Sequence, residues 1–213
     1  MREHRIWIDR FQANNFLRAI RSKKNIIVLW MGVIKTFLAN TPPVEQERFA
    51  ELSIVVGSMS RLFCELDGGK KIYSVSFPFN CREVDGSFIF SSRGGVEVDN
   101  RISSEIVALI DRPDGVLDVV AFEGFIDPLF EALEVDLSIW SVVRELMTAE
   151  ESYLRYDWDA ERVNGHLHPL HHIDVGYSSA CSFKFGLRQR IGRDGLISIL
   201  NIDSDCHYIA PAI

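Results

Sequence analysis

Apolar and polar positions change their period along this 213-residue chain. Through the first third, Phe11, Ala13, Phe16, Leu17 and Ile20 recur at helical spacing, and an apolar run over residues 26–38 follows a polar break. That spacing predicts helices. Thr41-Pro42-Pro43 then stops one helix and starts another. Proline suits a first helical turn, Glu45 and Glu47 favour its positive end, and Phe49, Leu52, Val55, Val56, Met59 and Phe63 form an inward stripe. Residues 1–66 therefore read as a helical layer.

From Asp67-Gly68-Gly69 the pattern becomes alternating. Tyr73, Val75, Phe77 and Phe79 fall on one side of a strand, with Ser74 and Ser76 on the other. Asp85-Gly86 has the chemistry of a hairpin turn whose second arm is residues 87–91, and a short strand over 96–98 follows Arg93-Gly94-Gly95. Ser103 or Ser104 is suited to cap a helix running through Leu109. Pro113-Asp114-Gly115 makes a turn, residues 117–122 a strand and residues 128–133 a helix. A longer helix over 136–150 has Leu137, Ile139, Trp140, Val143, Leu146 and Met147 as its core face. Strands follow near 153–158, 173–177 and 181–187, then a helix over 194–200 and an irregular tail over 201–213. The fold class is α+β: one domain over 1–213, with the N-terminal helical layer packed on a mostly antiparallel sheet formed within residues 67–200.

Composition narrows the partners. At 47% hydrophobic, the chain can build a substantial core. A formal charge of −7 and a pI near 5.4 disfavour a broad nucleic-acid grip. Basic residues still gather as Arg18, Arg21, Lys23 and Lys24, and as Lys184, Arg188, Arg190 and Arg193. The apolar run over 26–38 falls short of the roughly 20 residues of a bilayer span, so no membrane association is expected. Cys64, Cys81, Cys181 and Cys206 form no C-x-x-C pair; with no secretory signal, reduced thiols and a cytoplasmic location are expected.

The richest chemistry lies near the C-terminus, where four of the six histidines fall at 166, 168, 171 and 172. Strand alternation puts Arg155, Asp157, His172, Asp174, Lys184 and Arg188 on one face, and Leu154, Tyr156, Ile173, Val175, Phe183 and Phe185 on the other. Antiparallel pairing of three closely spaced strands would bring the polar set together. One reading of this face is the wet side of a two-faced sheet. The other is a site. There His172 is the acid or base, Asp174 its orienting carboxylate, and Arg155, Lys184 and Arg188 contacts for a phosphate or carboxylate, with His168 and His171 as further binding candidates. No cofactor is called for. A divalent metal on His168, His172, Asp174 and Asp157 is the competing arrangement.

Other motifs carry less. Gly57-Ser58 before Glu65-Leu66-Asp67 is too short for a nucleotidyltransferase signature and reads as continuing helix. Gly68-Gly69-Lys70-Lys71 lacks the upstream glycine and hydroxyl of a phosphate-binding P-loop, and Ser178-Ser179 lacks a nucleophile elbow.

Arg155-x-Asp157, His168-Pro169 with His171 or His172, and Gly176-Tyr177, followed by a strand and a helix, resemble a bacterial protein family of unknown function. In that family an R-x-D strand precedes an H-P-x-x-H element. The resemblance covers the last quarter of the chain and implies a bacterial cytoplasmic protein carried among mobile or antiviral-defence genes. With negative charge, no accepted catalytic motif and apolar N-terminal residues such as Trp30 and Phe37, the leading expectation is a binding or regulatory component. It would act through a protein partner or a homo-oligomer. The alternative is a small nuclease or phosphodiesterase using the His172–Asp174 pair.

Overall fold

The computed structural model describes residues 1–111, 117, 130, 136–165, 167–178 and 181–208. Seven strands form one antiparallel sheet: β1 (Arg2–Ile8), β2 (Ala50–Val56), β3 (Ser60–Leu66), β4 (Lys71–Ser76), β7 (Leu154–Trp158), β8 (His171–Val175) and β9 (Phe183–Leu187), neighbours in that order. A separate hairpin pairs β5 (Asn80–Val84) with β6 (Ser87–Ser91). The helices are α1 (Arg10–Ala13), α2 (Lys23–Ala39), α3 (Asn100–Ile110), α4 (Leu137–Thr148) and α5 (Arg193–Leu200). The class is mixed α and β, and mostly sheet.

The helical layer expected over residues 1–66 is replaced by three strands and one long helix. The supposed stripe from Phe49 to Phe63 is the β2–β3 hairpin, with Gly57 and Ser58 at its tip rather than inside a helix. Register explains the error. Leu52 and Ile54 face one cluster of the core while Val55 and Phe63 face another, so strands buried on both sides show no alternation to read. Upstream, only the single turn of α1 forms, held by a capping box between Asp9 and Gln12, and Phe11 stays 82% exposed.

α2 matches the apolar run. Ser22 caps it by accepting from the Asn25 amide, and Asn40 ends it in the left-handed conformation at φ 43°. It is buried over most of its circumference, from Ile26 and Ile27 to Phe37, with Val28, Gly32 and Lys35 along a half-buried stripe. Its Trp30 indole N–H donates to the Ser76 carbonyl at 2.8 Å, tying it to the end of β4.

The hairpin turn at Asp85-Gly86 forms as its chemistry requires, with φ 51° and 76°. Residues 96–98 contribute only the isolated bridge from Glu97 to Ser91. The cap of α3 is Asp99, which accepts from the Ile102 amide at 2.8 Å; Ser103 and Ser104 turn back to carbonyls one turn earlier. On α4, Ile139, Val142, Val143 and Leu146 are buried, whereas Leu137 is 72% exposed. The turn at 113–115, the strand at 117–122 and the helix at 128–133 lie outside the described residues, apart from the single positions 117 and 130.

Two clusters hold the sheet. One joins α2, α3, α4 and the hairpin to the face bearing Ile6, Ile8, Leu52, Ile54, Leu62, Cys64, Tyr73 and Val75. The other lies under α5 on the opposite face, with Phe63, Ile72, Tyr156, Ile173 and Leu196. Burial pushes the Cys64 and Cys81 thiols up to about 12, while Cys181 and Cys206 are exposed. No helix among the described residues is long and apolar enough to cross a membrane.

Candidate functional site

The three last strands are neighbours, and their register brings the polar residues face to face. Asp157 lies directly opposite His172, Arg155 opposite Asp174, and Asp174 opposite Lys184. Lys71 of β4 stands opposite Asp157 on the other side of β7. Residues opposed across antiparallel strands share a face, so these side chains form one polar floor.

The floor is densely connected. The Arg155 guanidinium donates through Nε to Asp157 Oδ2 and through Nη2 to Asp174 Oδ2, both at 2.6 Å. Lys184 Nζ lies 3.6 Å from Asp174 Oδ1. Burial pulls the Arg155 guanidinium down, and the charges of Asp157 and Asp174 more than offset this, leaving it above its ordinary value.

His172 is the most enclosed member, its side chain 1% exposed. Its Nδ1–H donates to the Pro169 carbonyl at 2.9 Å, which fixes the tautomer of the neutral ring and directs Nε2 toward the carboxylates. Nε2 is 3.8 Å from Asp157 Oδ2 and 3.9 Å from Asp174 Oδ2. The orienting partner of the imidazole is thus a backbone carbonyl, with Asp174 on the other ring nitrogen. Gly186 makes this arrangement fit. It lies opposite His172 on β9, and a Cβ there would meet Pro169 Cγ at 2.9 Å.

Above the floor is a cleft of about 630 Å³. Its wall includes Asp159 and His168 from the β7–β8 connection and Leu17 and Phe49 from the N-terminal region. His168 Nε2–H donates to Asp159 Oδ2 at 3.2 Å, and Lys184 Nζ donates to His168 Nδ1 at 3.3 Å. The His168 ring meets that of His172 edge-on at 4.6 Å. Burial raises the Asp159 carboxyl, but hydrogen bonds from the Arg162 amide and His168 bring it below its usual value.

Of the residues expected at a site, Arg155, His168, His172, Asp174 and Lys184 line this cleft, together with Asp157. His171 does not. As the first residue of β8 it alternates to the opposite face, where its Nδ1 lies 3.0 Å from the Tyr156 hydroxyl. Arg188 lies past the end of β9, is exposed and is not part of the cleft lining. Lys70, Lys71 and Asp159 are cleft residues that the sequence reading passed over. Lys71 continues the alternation of Tyr73 and Val75, a usable signal once β4 is known to neighbour β7. His166 lies outside the described residues.

No protein-family model, curated protein or solved structure matches this chain.

Proposed function

We propose that the chain is a phosphodiesterase-type hydrolase acting on a small phosphate ester in this cleft. The observation that carries the reading is the fixed imidazole of His172, set beside two carboxylates on the floor of a cleft lined by as many cations as anions. Five basic residues, Lys70, Lys71, Arg155, Arg162 and Lys184, balance five acidic ones, Asp67, Asp157, Asp159, Glu161 and Asp174. A lining without net charge is a poor track for a long polyanion and a suitable receptacle for one or two phosphate groups. Its volume falls within the roughly 300–1,000 Å³ typical of small-ligand sites. The lysines and arginines of the lining take the phosphoryl charge, and the His172, Asp157 and Asp174 floor activates the attacking water.

The test is hydrolysis of bis-p-nitrophenyl phosphate and of linear and cyclic dinucleotides. His172→Ala should lower kcat/KM by about 10²-fold or more, whereas Lys184→Ala should act mainly through KM. Circular dichroism checks that both variants remain folded. Activity unchanged by His172→Ala, or no turnover of any of these esters by the wild type, would sink the reading.

A second reading rests on β9. Among the described residues no strand pairs with its outer edge, and Phe183 and Phe185 are 54% and 38% exposed there. An open edge with aromatic side chains suits strand addition by another chain, which favours a protein-binding or regulatory component. Its setting in bacterial antiviral defence or a mobile element rests on the sequence resemblance. Phe183→Ser with Phe185→Ser should release a bound partner or dissociate an oligomer; sedimentation and pull-down profiles identical to the wild type would dismiss it.

A further inference from the structure

Among the described residues, the hydrogen bond of the His172 ring is made by Nδ1 and none is made by Nε2. Nδ1 is spent as a donor on the Pro169 carbonyl, so in the form that binds a metal the imidazole offers Nε2, which lies beside an oxygen of each carboxylate. This occurs in a side chain 1% exposed, beside an Asp157 side chain 9% exposed. An imidazole nitrogen on the cleft floor, 3.8 and 3.9 Å from one oxygen of each of two carboxylates, is the kind of donor set that takes a cation on its cleft side.

We infer that Asp157, His172 and Asp174 hold a divalent cation, with one donor atom from each. The three donor atoms lie within 4.8 Å of one another. Ligands about 2.0–2.2 Å from a shared ion can stand no more than ~4.4 Å apart, and Nε2 already meets that limit with both aspartates at 3.8 and 3.9 Å. The surroundings have the form of an outer ligand shell. A backbone carbonyl orients the histidine, and Arg155 holds both carboxylates by one hydrogen bond each to the Oδ2 atoms that face His172, leaving each of those oxygens a second lone pair. His168 stays outside the set because both its nitrogens are engaged by Asp159 and Lys184.

One imidazole and two carboxylates suit manganese or zinc better than a soft, thiolate-seeking ion. Three protein ligands leave a position open to the cleft for water or a phosphate oxygen, as catalytic sites require. Arg155 and Lys184 already offset the two aspartates, so a bound dication leaves the floor positive, the complement of a phosphate ester. The cation thereby deepens the hydrolase reading, naming what activates the water, while its binding can be measured without any substrate.

The experiment titrates chelator-treated protein with Mn²⁺, followed by the electron paramagnetic resonance of the free ion, and with Zn²⁺ by calorimetry. The wild type should bind one ion per chain. His172→Ala and Asp157→Asn should weaken binding at least tenfold, and His171→Ala, on the other face of the sheet, should leave it unchanged. Should the variants unfold, imidazole nitrogen resonances of the wild type serve instead: Zn²⁺ should shift His172 Nε2 before any other histidine nitrogen. No stoichiometric binding at millimolar Mn²⁺ or Zn²⁺, or binding that survives loss of His172, overturns the inference. Ester hydrolysis that persists in chelator with no ion bound overturns the cation as what activates the water and leaves the hydrolase standing. Tight binding without turnover does the reverse.

Discussion

The same face of one sheet is largely apolar over β1 to β4 and ionic over β7 to β9, with Lys71 at the start of β4 already on the ionic side. On the first half, Ile8, Ala50, Leu66, Ile6, Leu52, Cys64, Ile54 and Leu62 run in opposed rows and are buried in the cluster containing α2. On the second half the rows read Arg155, Asp174 and Lys184, then Asp157, His172 and Gly186. The crossover lies between Tyr73 and Arg155, which are direct partners. The sheet spans about 29 Å at the usual strand spacing, and those of its strand residues buried in the α2 cluster lie on the first four strands, as far as Tyr73 and Val75. Where helices cover a sheet, a side chain must be apolar or find a partner within the protein. Where the cover stops, charges can stay partly hydrated and be arranged for binding.

The opposite face shows what an ionic group looks like when it is covered. There Arg193 of α5, 7% exposed at its side chain, sits over Glu3, Glu51 and Ser53 of β1 and β2. Burial lowers its guanidinium from the usual value. That group contains no histidine and closes under its own helix. The cleft group contains one and opens outward, which is the difference expected between fastening a helix and meeting a ligand.

Substitutions on the two halves of the shared face should separate stability from function. Leu52→Ala, at a fully buried position of the covered half, should destabilise the fold by about 2–5 kcal/mol, read as a fall in the urea midpoint, with ion binding intact. Arg155→Met should cost about 1–3 kcal/mol. That is less than a fully buried pair because about a third of the side chain meets solvent. It should also disturb ion binding, since both aspartates lose their shared donor. Adding Asp174→Asn should recover part of the stability, because one of the two stranded charges is removed. Equal losses from Leu52→Ala and Arg155→Met, with no recovery in the double variant, would mean that the ionic half is simply more core.

How far this division could be read from sequence follows from the same physics. The C-terminal face was legible because β7 and β8 keep one polar and one apolar side, so alternation placed Arg155, Asp157, His172 and Asp174 together correctly. β2 and β3 were not, because both sides are buried and Leu52, Val55 and Phe63 happen to recur at near-helical intervals. His171 and His172 look equivalent in the sequence, yet adjacent strand residues point to opposite faces and only the second reaches the cleft. The parts that orient His172 left no trace. Pro169 acts through its carbonyl and Gly186 through the side chain it lacks, and neither role has a residue-type signature.

Gly186 gives the finest test of the open half, because it adds one methyl group and removes no charge. A Cβ there would come within 2.9 Å of Pro169 Cγ, too close for carbon atoms, so the Pro169 ring must move away from β9. The connection between β7 and β8 borders the cleft, so it can yield more readily than the packed strands beneath α2, and Gly186→Ala should cost only on the order of 1 kcal/mol. The consequence for the site should be larger than that figure suggests. Moving Pro169 lengthens the 2.9 Å bond from His172 Nδ1, frees the ring to turn or change tautomer, and takes Nε2 off the aspartates. Mn²⁺ binding should therefore weaken by roughly 10–100-fold while the melting temperature falls by only a few degrees. Unchanged binding in a folded Gly186→Ala protein would show that the imidazole is held by the floor itself, and that the carbonyl of Pro169 is incidental to its direction.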